Sequence, residues 1–163
     1  MAPWKLPPKA KVYEALSAVA DGRVRPSATT SSAEVVSSGG DRTYTVEWSD
    51  DHRSFIANDN ASYWQGYLGY PVIAVLLTLG EVRVGDGVAD ALAGVPWHDL
   101  NERFKRDYDA AVESVLAQVG DRGGGRGRIA REVDGVMTQL AALQLERPGR
   151  GRRPPPRHAA GGR

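Results

Sequence analysis

The sequence predicts an α+β fold: a small antiparallel β-meander packed on a buried helix, followed by two long amphipathic helices and a disordered basic tail. Three observations lead there. Residues 33–57 alternate apolar and polar side chains between turn signals, the mark of strands half-buried on one face. Val72 to Leu77 is an unbroken apolar run, and apolar residues recur at helical spacing from Leu100 to Leu143. The last stretch, residues 147–163, has no large apolar side chain to offset the entropy of ordering it.

Taken in order, Lys9 to Ala20 places Val12, Leu16 and Val19 with Ala15 on one helical face, and Asp21-Gly22 supplies the stop. Ala33 to Ser37 and Arg42 to Trp48 flank Ser38-Gly39-Gly40-Asp41 and form a hairpin in which Tyr44, Val46 and Trp48 alternate with Thr43, Thr45 and Glu47. A polar turn, Ser49 to His52, leads to a third strand over Arg53 to Ala57. Pro71 then opens, and Gly80 closes, a buried helix over Val72 to Leu79 that is expected to cover the sheet. After a turn-rich stretch from Gly80 to Pro96, Leu100, Phe104, Ala111, Val112, Val115 and Val119 define one long helix of about five turns. Ile129, Val133, Val136, Met137, Leu140 and Leu143 define the second, across a glycine-rich linker at 120–127. Each stripe must pack on something: the other helix, the sheet domain or a second subunit. The organisation expected is residues 1–96, residues 97–146 and the tail 147–163.

At 163 residues, 41% hydrophobic and 25% charged, the chain falls outside the disordered and collagen-like classes. It has no cysteine, which removes disulfides and thiolate metal sites. The longest apolar run falls far short of the ~20 residues that cross a bilayer, so no membrane partner is expected. The N-terminal segment has no apolar stretch of signal-peptide length, and the expected location is the cytoplasm. The net charge of +1 hides an asymmetry: the tail holds Arg147, Arg150, Arg152, Arg153, Arg157 and Arg163 and no acid, leaving −5 on the rest.

The segment from Ala33 to Val46, then Phe55, an aromatic loop, and Gly69-Tyr-Pro-Val-Ile-Ala-Val-Leu-Leu77 resembles the SWIM-type zinc finger. In that family a hairpin with a Tyr-x-Val strand leads to a Cys-x-Cys pair, and a Gly-x-Pro step leads into a Cys-x-His pair that opens a helix. The resemblance covers about 45 residues and implies a nucleic-acid or protein-binding module. The ligands are missing: the first pair falls near Ala57 and Asp59 or Asn58 and Asn60, the second on Val72 and Ala74. The resemblance is therefore to a degenerate, metal-free form with no cofactor, in which apolar packing has replaced the metal.

Two features carry the functional reading. The loop Asn58 to Tyr70 gathers Tyr63, Trp64, Tyr67 and Tyr70; on its surface such rings stack on unpaired bases, and in its interior they fill space under the helix. The arginine tail neutralises phosphates, and Arg122, Arg126 and Arg128 in the glycine linker extend the same surface. Asp50-Asp51-His52 reads as turn chemistry and Asp99 as a helix-start residue, with Trp97 packing back on the following turn. No phosphate-binding glycine loop or nucleophile elbow is present. The expected function is non-catalytic nucleic-acid binding, on DNA or RNA or within a ribonucleoprotein. In this reading Arg147, Arg150, Arg152, Arg153, Arg157 and Arg163 lie on phosphates and Tyr63, Trp64 and Tyr67 on bases. The alternative is an assembly module that pairs its two C-terminal helices with a protein partner or a second copy.

Overall fold

The computed structural model describes residues 2–156. The chain runs β1 (Ala2–Pro3), α1 (Lys9–Ala20), β2 (Val24–Pro26), β3 (Ser32–Val36), β4 (Thr43–Trp48), β5 (Phe55–Ala57), α2 (Tyr70–Leu79), α3 (Trp97–Arg103), α4 (Tyr108–Leu116), α5 (Arg126–Leu143) and β6 (Glu146–Arg147). The α+β class is as the sequence predicts, with one strand more in the meander. The sheet is antiparallel in the order β2-β3-β4-β5. Its register pairs Ala33 with Val46, Val35 with Tyr44, and Val46 with Ala57, so all five side chains fall on the buried face. Thr45 and Glu47 occupy the other face of β4.

The helix α2 covers the buried face, and α1 lies against its far side. This explains an apolar run without amphipathic spacing: Pro71 to Leu76 are all buried because the helix is a middle layer. Gly80 closes it in the left-handed region at φ 79°. A single continuous core extends from Trp4 to Leu145.

The helical region departs from expectation. The stripe from Leu100 to Val119 is two short helices, α3 and α4, because Lys105 and Arg106 both turn left-handed, at φ 52° and 65°. Asp107 then caps α4, its side chain accepting from Ala110 N at 3.1 Å. The second stripe does form a long helix, α5. It and α4 both pack on α1, so Ala111, Val115, Ile129, Val133, Val136 and Leu140 are covered within the chain. Trp97 does not fold back on its own turn. It is buried against α1, 6.5 Å from the Tyr13 ring, and its indole N–H donates to Ser17 Oγ.

The tail departs as well. Glu146–Arg147 is a strand, β6, that pairs antiparallel with β1, and Trp4 N donates to Leu145 O beside it. Residues 148–156 continue along the body, with Gly151 against the Ile56 side chain of β5. Arg157 and Arg163 lie outside the described residues. Among the described residues, no helix is long and apolar enough to cross a membrane.

Candidate functional site

The loop between β5 and α2 is built around Asp59. Its carboxylate accepts from Ser62 Oγ at 2.6 Å and from Ser62 N at 3.1 Å, holding Ala61–Gln65 in one π-helical turn that ends at Gly66, φ 74°. The same carboxylate lies against Gly69, the residue that caps α2. A methyl group added at Gly69 would stand 1.9 Å from Oδ2, so only glycine leaves room for the acid there. Asp59 is 3% exposed. Burial pushes its carboxyl above the usual aspartate range, against the pull of the Ser62 hydrogen bonds and the Lys11 charge.

This turn divides the predicted aromatic residues between two faces. On one face the Tyr63 and Trp64 rings meet edge to face at 4.6 Å, and Trp64 is 55% exposed. The arginine arm crosses here. Arg147 is half-buried, donates to Ser62 O at 2.6 Å, and places its guanidinium 5.1 Å over the Trp4 ring. Arg150 stands 5.3 Å over Tyr63 and Arg153 6.0 Å from Trp64. Arg152 is exposed. The tail predicted as disordered is thus, through residue 156, an arm laid over the predicted aromatic loop. Cation–ring contacts at exposed positions contribute only about 0.5–1 kcal/mol each, so the arm rests on the rings without being locked there.

Two of the three linker arginines are engaged elsewhere, and Arg122 is exposed. Arg126 forms an ion pair with Glu113 at 2.6 Å, and Arg128 donates to the carbonyls of Asp86 and Gly123. Asp51 accepts from Ser49 Oγ inside its turn, and His52 pairs with Glu81 at 2.9 Å. Among the described residues, no three carboxylate or imidazole side chains group to hold a metal ion.

On the other face, Trp64 and Tyr67 wall a cleft of about 640 Å³ that also involves α1, the β3–β4 turn and the α3–α4 region. Its size is in the range of small-molecule sites. Lys11 and Glu14 belong to it, one turn apart on α1, with side chains only 11% and 8% exposed and Nζ 3.2 Å from Oε2. Burial pulls the Lys11 ammonium down, but the Glu14 carboxylate and the nearby Tyr108 and Tyr67 oxygens outweigh it and hold the pKa above the ordinary lysine value. The Lys11 ammonium also sits 4.6 Å over the Tyr108 ring. Tyr70 meets Tyr44 edge to face at 6.2 Å, and burial pushes its phenol far up, so it stays a neutral donor. Arg23, Arg42 and Arg106 bring positive charge to the same space, and His98 lines it.

Three polar atoms in this cleft stand out. Glu14 Oε2, Arg42 Nε and His98 Nε2 are buried and make no hydrogen bond, although Lys11 Nζ lies 3.2 Å from the first and Glu102 Oε1 2.8 Å from the last. A buried polar group left unmatched costs about 1–3 kcal/mol, so such atoms concentrate where a ligand completes them. Sequence reasoning passed over Lys11, Glu14, Arg42 and Tyr108, because charged residues near a helix's N-terminus or in a turn read as solvated. The one local signal was Lys11 and Glu14 standing among Val12, Ala15 and Leu16 on a helix with little polar surface.

A family model described as "Uncharacterised conserved protein UCP014422" matches residues 4–146, and the chain belongs to that family. The matched span takes in the whole cleft and the loop and stops just before the arm. That description names no SWIM-type domain. No curated protein and no solved structure matches the chain.

Proposed function

We propose that this member of the UCP014422 family is a non-catalytic nucleic-acid-binding protein of the cytoplasm, holding a single strand with its phosphates along the arginine arm and unpaired bases on Tyr63, Trp64 and Tyr67. The observation that carries the reading is the contact of arm and loop: Arg150 and Arg153 lie over Tyr63 and Trp64, so cations and stacking rings share one exposed surface. Bases add about 1–3 kcal/mol each when they stack on such rings, and guanidiniums held weakly there are free to turn to phosphate. The arm's charge cannot choose a sequence, so selection falls to the loop or to a larger ribonucleoprotein. The metal-free SWIM-like layout of residues 33–77 is part of this reading, since its order of hairpin, aromatic loop and proline-started helix is that of a binding module. Pairing of the C-terminal helices with another chain is less favoured, because α4 and α5 turn their apolar stripes to α1.

The test compares the full chain with a variant carrying Arg150, Arg152, Arg153, Arg157 and Arg163 as glutamine, leaving Arg147 to hold β6. Each is titrated with single-stranded RNA, single-stranded DNA and duplex DNA across a salt series. Five phosphate contacts on a single strand give a log–log salt slope near about −3.5, and the variant loses most of it. Binding that is absent at moderate salt, or unchanged in the variant, overturns the reading.

A further inference from the structure

We propose that the cleft beneath Trp64 is a nucleotide pocket that takes one unpaired purine base, with Glu14 reading its N–H edge and the Arg42 and Arg106 guanidiniums receiving its phosphate. The proposal deepens the nucleic-acid reading by assigning base recognition to the cleft, but the cleft and the arm are built from separate residues and fail separately.

The argument starts from two of these atoms. Glu14 Oε2, beside Lys11 Nζ at 3.2 Å, makes no hydrogen bond and neither does Arg42 Nε, both being buried in one cleft. A ligand that completes both presents an N–H and an anionic or carbonyl oxygen. The walls narrow the class further. Trp64 and Tyr67 line it with aromatic rings, Tyr108 lies under the Lys11 ammonium, and the cleft's 640 Å³ holds a flat heterocycle with its sugar phosphate. A simple anion would leave the rings and Glu14 unused and would meet a carboxylate at the inner end. A sugar would leave the guanidiniums unused. A nucleotide uses all three: rings for the base face, a carboxylate for base N–H groups, and guanidiniums for phosphate.

Base choice follows from Glu14. An ionised carboxylate only accepts, so it favours an edge made of donors. Guanine offers two adjacent donors, N1–H and the exocyclic amine, on its pairing edge. Adenine sets its amine beside the N1 lone pair, which the carboxylate repels. Lys11 Nζ stands 3.2 Å from that carboxylate. The site therefore discriminates guanine from adenine, and because the pairing edge is what it reads, it takes only an unpaired base. Trp64 belongs to both the cleft and the arm's surface, so a base in the cleft continues into a strand whose phosphates follow Arg153.

Full-length protein is titrated with GMP, AMP, guanosine, inorganic phosphate and ribose 5-phosphate, followed by calorimetry and tryptophan fluorescence. GMP is expected to bind at least tenfold tighter than AMP and to perturb the tryptophan emission. Glu14→Gln, nearly isosteric, lowers GMP affinity at least tenfold and brings it level with AMP. Arg106→Gln, at an exposed position that leaves folding untouched, weakens GMP several-fold and guanosine not at all. The variant with five arm arginines neutralised keeps its GMP affinity while losing long strands, which separates this proposal from the reading of the arm. Inorganic phosphate or ribose 5-phosphate matching GMP overturns the proposal, as does AMP matching GMP in the unaltered protein, or no GMP binding at all.

Discussion

One loop serves two unlike surfaces. Toward the arm, Tyr63 and the exposed side of Trp64 meet guanidiniums at 5–6 Å, with solvent around them. Toward the cleft, the same short segment presents Tyr67 and a carboxylate, Asp59, to Lys11, Glu14 and Tyr108, where water is largely excluded. Charges in the first setting are screened and change partners at little cost, whereas charges in the second are held by desolvation and answer only to a matching group. On the proposed reading, general attachment falls to the arm side and discrimination to the cleft side.

Glycine to alanine on each side sets the contrast most sharply. Gly69→Ala drives a methyl group into the Asp59 carboxylate and is expected to cost about 2–3 kcal/mol, read as a fall in the urea midpoint. Gly151→Ala meets the Ile56 side chain at 3.0 Å in a left-handed backbone, yet the arm can lift away, so the same melt moves by less than about 0.5 kcal/mol. Equal losses at the two positions would break the comparison.

The pH response of Asp59 comes next. Its carboxyl is raised above the ordinary aspartate value of 3.8, so between that value and its raised one the folded state binds more protons than the unfolded. Stability from this group therefore falls as pH rises through that window and is regained on acidification. Asp59→Asn, which keeps one acceptor and one donor toward Ser62, removes that contribution. Denaturation midpoints taken from neutral pH down to about pH 4 should show the unaltered protein gaining on the variant as pH falls, and parallel curves would place Asp59 in water.

The smallest effect on stability belongs to the arm. Arg150→Gln with Arg153→Gln should lower the unfolding free energy by no more than about 1–2 kcal/mol while reducing the salt slope on single-stranded RNA by about 1.4. A large loss of stability with an unchanged slope would invert the roles of the two surfaces.

The sequence made the fold legible where local chemistry decides it. The first helix begins and ends at Lys9 and Ala20 as the periodicity predicts, the hairpin strands lie within a residue of their expected ends, and Gly80 stops α2. It was silent where tertiary contacts overrule periodicity. The apolar stripe runs on through Phe104 to Ala111, yet Lys105 and Arg106 turn left-handed and break it, after an α3 whose first residue, Trp97, is tied to Ser17 by its indole N–H. The strand β2 was hidden by Arg25 and Pro26, tolerated at a sheet edge. The arm and the aromatic loop were legible as compositional extremes. The cleft was not, because Lys11, Arg42, Asp59 and Tyr108 come from four separate segments with no shared spacing, and only folding brings them together.

The pairing of Ala2–Pro3 with Glu146–Arg147 joins positions about as distant along the chain as any in the fold. Contacts of such separation carry the greatest loop-closure cost and tend to form late. During synthesis Trp4 must wait for nearly the whole chain before Leu145 accepts its N–H and Arg147 lies over its ring. An incomplete chain accordingly carries its aromatic rings without their cations, and a complete but unclosed one carries a free polycation without its rings. The rings near Trp4 and the cations that follow Leu145 thus come into register only when β1 and β6 have paired.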